Sequence, residues 1–246
     1  RAMLFYQQLR NREEELQELI RHAFPDERRL VRERNIYTKS GQLTALYERD
    51  RQTYDIEIVP CHGDTYRAFE NVPFNIGSPK QRVEKLTALG WVADEKTPKG
   101  FPKPTEKSLI RFAEESGIEE VALITRWMSV HGRANMINNW LEAWDERDEC
   151  IHGKLFVADT LRFRHQAPNT ANVPAVRVIE HKDEDGKVVR TEVLYGERGY
   201  YTYEARDLWI ARPNRVLVGT DAAGLELRML AHYLNRPDFT EQVVNG

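Results

Sequence analysis

The strongest arrangement of chemistry-bearing residues lies between Val216 and Leu234. An apolar run, Val216-Leu217-Val218, predicts a short strand. Gly219-Thr220-Asp221-Ala222-Ala223-Gly224 follows, and then a helical pattern over Leu225 to Leu234 whose Leu227, Leu230, Ala231 and Leu234 predict a buried stripe. Asp221 thereby stands at the carboxyl end of a strand, where a carboxylate can project into a cleft while apolar flanks anchor the backbone behind it. Taken alone, such an aspartate has a second reading, the cap of the helix that follows. Upstream, Thr160, Arg162, Pro168, Asn169, Asn172 and Pro174 make a polar, proline-punctuated stretch. On residue types alone it reads as an irregular loop.

The elements that must position these residues fall into two textures. Met3 to Phe24 reads as a helix with Leu9, Leu16, Leu19, Ile20 and Ala23 on its apolar stripe, stopped by Pro25. Tyr37 to Pro60 switches to a two-residue period around a turn at Ser40-Gly41 and predicts a hairpin. Pro79 to Leu89 reads as a short helix closed by Gly90, Lys107 to Glu115 as another, and Ile118 to about Arg147 as the longest. In that last helix Ile137, Trp140, Leu141 and Trp144 repeat at helical spacing, and Gly132 marks a kink or interruption. Beyond Ile151-His152-Gly153 the pattern turns to strands: Lys154 to Val157, Val176 to Glu180 and Val188 to Leu194, the last two joined at Asp183-Glu184-Asp185-Gly186. A helix-rich half followed by a mixed half predicts an α+β fold with a boundary near residue 150.

A length of 246 residues with 41% apolar residues and five tryptophans supports a genuine core. The mean hydropathy of -0.64 and the lack of any run of 18 apolar residues exclude a spanning segment, so no membrane partner is expected. No secretory pattern opens the chain, and the expected location is the cytoplasm. Cys61 and Cys150, followed by His62 and His152, lack zinc-finger spacing and read as reduced thiols. A net charge of -3 means that any nucleic-acid surface must be local. Residues 80–108 carry Lys80, Arg82, Lys85, Lys96, Lys99, Lys103 and Lys107 and are net +3, and Arg28, Arg29, Arg32 and Arg34 form a second run. Either run is also what a solvated charged face looks like.

The run Asp221 to Arg228, continued by Met229-Leu230-Ala231-His232, resembles motif A of the family A (Pol I-like) DNA polymerases, in particular the branch of short-tailed bacteriophages. Thr160, Arg162, Pro168, Asn169, Asn172 and Pro174 resemble the family's Thr-Gly-Arg segment ending in Pro-Asn-x-x-Asn-x-Pro. Leu161 stands there for Gly, Arg164 and His165 for small hydroxyl residues, and Thr170 and Ala171 for an apolar residue and Gln. Phe74-Asn75, Ser78-Pro79-Lys80-Gln81, Leu89-Gly90-Trp91, and Thr97 with Lys99-Gly100 resemble the family's thumb. The resemblance covers roughly residues 74 to 246, with 176–194 as an insertion.

That resemblance implies a helical thumb over 1–150, with 25–73 as an insertion able to recruit a processivity factor. It implies the N-terminal part of an antiparallel-sheet palm over 151–246, closing on Val243-Val244-Asn245-Gly246, which in the phage branch leads into the fingers. Asp221 and the carbonyl of Ala222 would bind Mg2+, one of two ions in a completed site. Glu226, Gly224 and Arg228 would face the dNTP. Arg162, Thr160, Asn169, Asn172, Arg133 and Lys80 would face primer–template DNA, with Arg126 a further phosphate contact. The fingers residues and the palm motif with the second carboxylate are not among the motifs of this sequence. The expectation is therefore a thumb and palm half completed by a complementary chain and inactive by itself. A non-catalytic DNA-binding remnant and a piece of a longer single-chain polymerase are the alternatives.

Overall fold

The computed structural model of the chain describes residues 1–59, 64–160, 162–220 and 223–245. They form two compact units, Arg1–Leu208 and Trp209–Gly246. The fold is α+β, as expected from the sequence.

In the first unit α1 (Ala2–Ala23) turns into a three-stranded antiparallel sheet of β1 (Glu27–Asn35), β2 (Asp55–Ile58) and β3 (Thr65–Val72), ordered β1-β3-β2, with α2 (Ala45–Thr53) inserted between β1 and β2. This corrects the hairpin expected over 37–60. The turn at 38–42 is present, with Gly41 at φ +79°, but Thr44 accepts from the Tyr47 amide and starts a helix. The charged strand β1 owes its existence to pairing with β3, from Glu27↔Val72 to Asn35↔Thr65, and tertiary pairing overrides the local pattern. Ile36, Tyr66 and Ala68 give the sheet its own small core, with Tyr47, Tyr54 and Ile56 packed on it. Within it Asp50 is buried; the Tyr66 hydroxyl donates to Oδ2 at 2.8 Å, and Arg32 lies 3.6 Å away.

Next come α3 (Pro79–Ala88), a small hairpin of β4 (Glu95–Lys96) and β5 (Pro102–Lys103), α4 (Glu106–Ser116) and α5 (Glu119–Glu142). Ser78 and Thr105 cap α3 and α4, each accepting from the amide three residues on, and Gly117 ends α4 in the left-handed conformation. Helix α5 packs along α1 and against α4. Val121, Ile124, Trp127, Val130, Ala134 and Ile137 of α5 are buried, as are Leu9, Leu16 and Ile20 of α1. Leu19, expected on the stripe of α1, is 48% exposed; the seam position between Leu9 and Leu16 is taken by Glu13, 3% exposed. Arg10 and His131 of α5 reach the Glu13 carboxylate at 2.6 and 2.7 Å. Helix α5 runs unbroken through Gly132 and ends at Glu142, short of the expected Arg147. There Trp144–Asp145 (β6) turns back onto Cys150–Ile151 (β7).

The strands that follow pair locally: β8 (Lys154–Val157) with β9 (Phe163–Gln166), and β10 (Val178–Lys182) with β11 (Val188–Val193) across the Asp183–Gly186 turn. A 3-10 turn at Gly196–Gly199 and α6 (Thr202–Arg206) close the unit. A Cβ on Gly199 would lie 2.2 Å from the Leu194 carbonyl oxygen, so only glycine permits this approach.

The second unit contains α7 (Leu225–Leu234) and α8 (Pro237–Asn245), packed on each other. Two expectations fail here. Residues 216–218 form no strand, because a strand needs a hydrogen-bonding neighbour and among the described residues none pairs with them. Of the expected stripe on α7 only Ala231 is buried, while Leu227, Leu230 and Leu234 are about half exposed.

Two stability predictions follow from this packing. Leu16→Ala removes a fully buried seam residue and should cost about 2–5 kcal/mol in urea unfolding. Burial and Asp50 push the Tyr66 phenol up to about 12 from its ordinary 10.0. The protonated phenol therefore stabilises the fold below pH 10, a contribution lost as the pH rises towards 12. Tyr66→Phe should cost roughly 1–3 kcal/mol at pH 8 and flatten that alkaline decline.

Candidate nucleic-acid interface

Thr160 and Arg162 sit in the turn joining β8 to β9, closed by the Ala158 amide donating to the Arg162 carbonyl at 2.8 Å; both side chains are exposed. Leu161 lies outside the described residues. The ladder pairs Val157 with Phe163 and Leu155 with His165, so Arg162 projects from the end of a two-stranded ribbon. After β9 the chain passes a cis Ala167-Pro168 peptide into a turn organised by Asn169, whose Oδ1 accepts from the amides of Ala171 (3.1 Å) and Asn172 (3.2 Å). Asn169 thus shapes the turn, while Asn172 is exposed on it. Against this turn lies Gly153, where an added Cβ would come within 3.0 Å of both the Pro168 carbonyl and the Thr170 hydroxyl. His165 Nδ1 is 2.5 Å from the same hydroxyl. The structure therefore brings Thr160, Arg162, Asn169 and Asn172 together on one hairpin and its following loop. No local sequence pattern announces the His165–Thr170 pair, because the partners flank a turn that only the folded chain closes.

Asp221 and Ala222 lie outside the described residues. On their C-terminal side Gly224 has φ +60°, turning the chain into α7, and the Arg228 guanidinium donates to the Ala223 carbonyl at 2.9 Å. Arg228 thus braces the turn from one helical turn away. Glu226 is exposed in the first turn of α7.

The cations divide sharply. Lys80 is exposed in the first turn of α3, 3.8 Å from Glu84. Lys96, Lys99 and Lys107 are exposed without an ion pair among the described residues, around the β4–β5 hairpin. Lys85 is held by Glu27, and Lys103 by Glu95 at 3.2 Å. Arg82 turns inward to the Ile76 carbonyl, and desolvation lowers its pKa. The run on β1 is neutralised in part: Arg28 meets Asp55 and Glu57, and Arg32 meets Asp50, while Arg29 and Arg34 make no ion pair among the described residues. Arg133 is mostly covered, donating to both oxygens of Glu106 at 3.0 Å and to the Tyr200 carbonyl. Arg126, 3.6 Å from Glu197, shares that carboxylate with Arg12. Each of these electrostatic pairs is a property of the folded surface that the linear charge runs conceal.

One further set of donors gathers at the β6–β7 turn, where Asp145, Asp148 and His152 offer atoms within 4.8 Å of one another. The Arg147 guanidinium holds the Asp145 carboxyl down to about 2, and His152 pairs with Asp148 at 2.8 Å. A set that includes imidazole and already has internal partners differs from the all-oxygen donors that Mg2+ prefers. Cys150 forms no disulfide among the described residues, and Cys61 and His62 lie outside them.

A model of DNA polymerase family A matches residues 44–246. The DNA-directed DNA polymerases of Escherichia phage T7 and Enterobacteria phage T3 are each 30% identical to this chain over 207 residues, covering 76% of the chain and 27% of the relative. The chain thus spans about a quarter of the length of these relatives. DNA polymerase I of Helicobacter pylori is 26% identical over 179 residues, 71% of this chain and 17% of that protein. Among solved structures, the POL domain of Pol1 from M. smegmatis, in complex with DNA primer-template and dNTP, matches at a TM-score of 0.45. It is 18% identical and aligns with 69% of this chain and 26% of its own.

The geometry separates two of the basic residues that the sequence assigns to DNA. Arg133→Ala strands Glu106 and the Tyr200 carbonyl and should lower unfolding free energy by about 1–3 kcal/mol. Lys80→Ala should stay within about 0.5 kcal/mol of wild type in the same denaturation experiment.

Proposed function

The chain belongs to DNA polymerase family A, and from that premise we propose that it supplies the thumb (1–150) and the N-terminal part of the palm (151–246) of a DNA-directed DNA polymerase. One observation carries the reading: the family match runs over 44–246 and so takes in both the Thr160–Pro174 loop and the Asp221–His232 run.

The residues fit the chemistry of nucleotidyl transfer. The Asp221 carboxylate and the Ala222 carbonyl are hard oxygen donors of the kind Mg2+ takes, and the Arg228–Ala223 bond braces the backbone beside them. Two Mg2+ ions, when bound, activate the primer 3′-oxygen and offset charge on the departing pyrophosphate. Glu226 excludes a ribose 2′-hydroxyl by its bulk, with Gly224 and Arg228 beside it at the dNTP. Arg162 donates to the minor-groove edge of the primer-terminal pair, where N3 and O2 acceptors occur in every base pair, so geometry is tested without reading sequence. Thr160, Asn169 and Asn172 shape and extend that contact. Lys80 and the exposed lysines around the β4–β5 hairpin hold phosphates, giving affinity that is indifferent to sequence and sensitive to salt.

One metal-binding aspartate cannot by itself hold two ions against water. The working enzyme therefore needs the fingers and the rest of the palm from further polypeptide assembled on these residues, which alone do not extend primers. The half-exposed Leu227, Leu230 and Leu234 on α7 support this, being an apolar face of the kind a partner covers. Such an assembly buries well over about 1,000 Å². The sheet within 25–73 is an insertion in the thumb that recruits a processivity factor, and the enzyme acts in the cytoplasm of a bacterial host.

Co-expression with a polypeptide carrying fingers and C-terminal palm should yield Mg2+-dependent primer extension, abolished by Asp221→Ala with assembly intact. A folded complex that binds duplex yet never extends it would leave a DNA-binding remnant in place of an enzyme. In the assembled complex Lys80→Ala should weaken duplex binding uniformly across sequences and reduce the slope of log K against log salt by about 1.

A further inference from the structure

Two of the positions at which the Arg162 segment departs from the family pattern, His165 and Thr170, meet in space. His165 lies on β9, three residues from Arg162, which is about 10 Å along a strand. Its Nδ1 bonds the Thr170 hydroxyl at 2.5 Å, and both residues are partly buried. Thr170 in turn packs on Gly153, whose missing side chain leaves room for its hydroxyl and methyl; a Cβ there would meet them at 3.0 and 3.3 Å. The loop between is fixed a second time by the Asn169 carboxamide, which accepts from the amides of Ala171 and Asn172.

We propose that Gly153, His165 and Thr170 form a latch that positions the Asn169–Asn172 turn against the hairpin bearing Arg162, presetting the shape of the surface that receives the primer terminus. The proposal rests on the polymerase reading and adds three positioning residues to it. Either neutral tautomer of His165 serves, since the Thr170 hydroxyl can donate to Nδ1 or accept from it. The physical gain is preorganisation: a turn already held in one conformation gives up less entropy when DNA arrives. The pair also accounts for two departures from the family pattern at once, because a histidine at 165 finds its partner in the threonine at 170.

The test uses the chain assembled with its complementary fingers and palm polypeptide, and a primer–template duplex. Thr170→Val keeps the shape and deletes the hydroxyl; it should raise the Kd for duplex by about 3- to 10-fold and speed amide hydrogen exchange at Ala171 and Asn172. Thr170→Ser should restore both, and His165→Ala combined with Thr170→Val should be no worse than either alone. A purely structural role would lower the unfolding temperature without separating Ser from Val at the DNA level. Wild-type duplex affinity and exchange in Thr170→Val would overturn the latch while leaving the polymerase reading intact. Failure of the wild-type complex to bind duplex would sink that reading and the positioning role with it.

Discussion

A single buried carboxylate ties the first unit together. Glu13 occupies a seam position of α1 that apolar spacing would assign to a leucine, and it is tolerated there because Arg10 and His131 both reach it. A buried charge left without partners is among the costliest features a core can hold, so only one register of α1 on α5 satisfies this one. Trp127 stacks flat on His131, 4.6 Å between ring centroids, and keeps the imidazole aimed. From that fixed α5 a chain of polar contacts runs outward. Arg133 grips Glu106 at the start of α4 and the Tyr200 carbonyl. Thr202, two residues on, donates to the Gly199 carbonyl and accepts from the Arg177 amide at the root of β10. The helical seam thus dictates where the strand-bearing part of the unit begins.

Beyond α5 the strands are short, local pairs, and the side chains on them stay largely uncovered: Leu155, Val157 and Phe163 on β8 and β9 are each more than half exposed. The same holds for the leucines of α7 in the second unit. Apolar surface of this kind is costly in water.

The sheet within 25–73 behaves differently, because it carries its own core. Its tyrosine–aspartate–arginine cluster, Tyr66, Asp50 and Arg32, satisfies one buried carboxylate oxygen internally. Its base is fixed by the rings of Phe24 and Phe74, inclined at 53° with centroids 4.8 Å apart, with Lys85 over both. Of the β1 charges, Arg28 and Glu33 find partners across the strands in Asp55, Glu57 and Arg67, while Glu27 and Arg32 pair with Lys85 and Asp50 on helices.

The sequence alone determined what depends on near neighbours. Caps at Ser78 and Thr105, the left-handed glycines at 90 and 117, the Asp183–Gly186 turn and the α+β succession are set by residues a few positions apart. So was family membership, since the Asp221–His232 run is a contiguous pattern. The tertiary structure decided everything that needs a distant partner. It made β1 a strand through β3, left 216–218 without one, and buried Glu13 in the α1 seam while leaving Leu19 half exposed. It also turned Arg133 from a surface cation into a brace, and joined His165 to Thr170. Pairing, burial and ion-pair geometry are relations between residues that only the folded chain brings within a few ångströms.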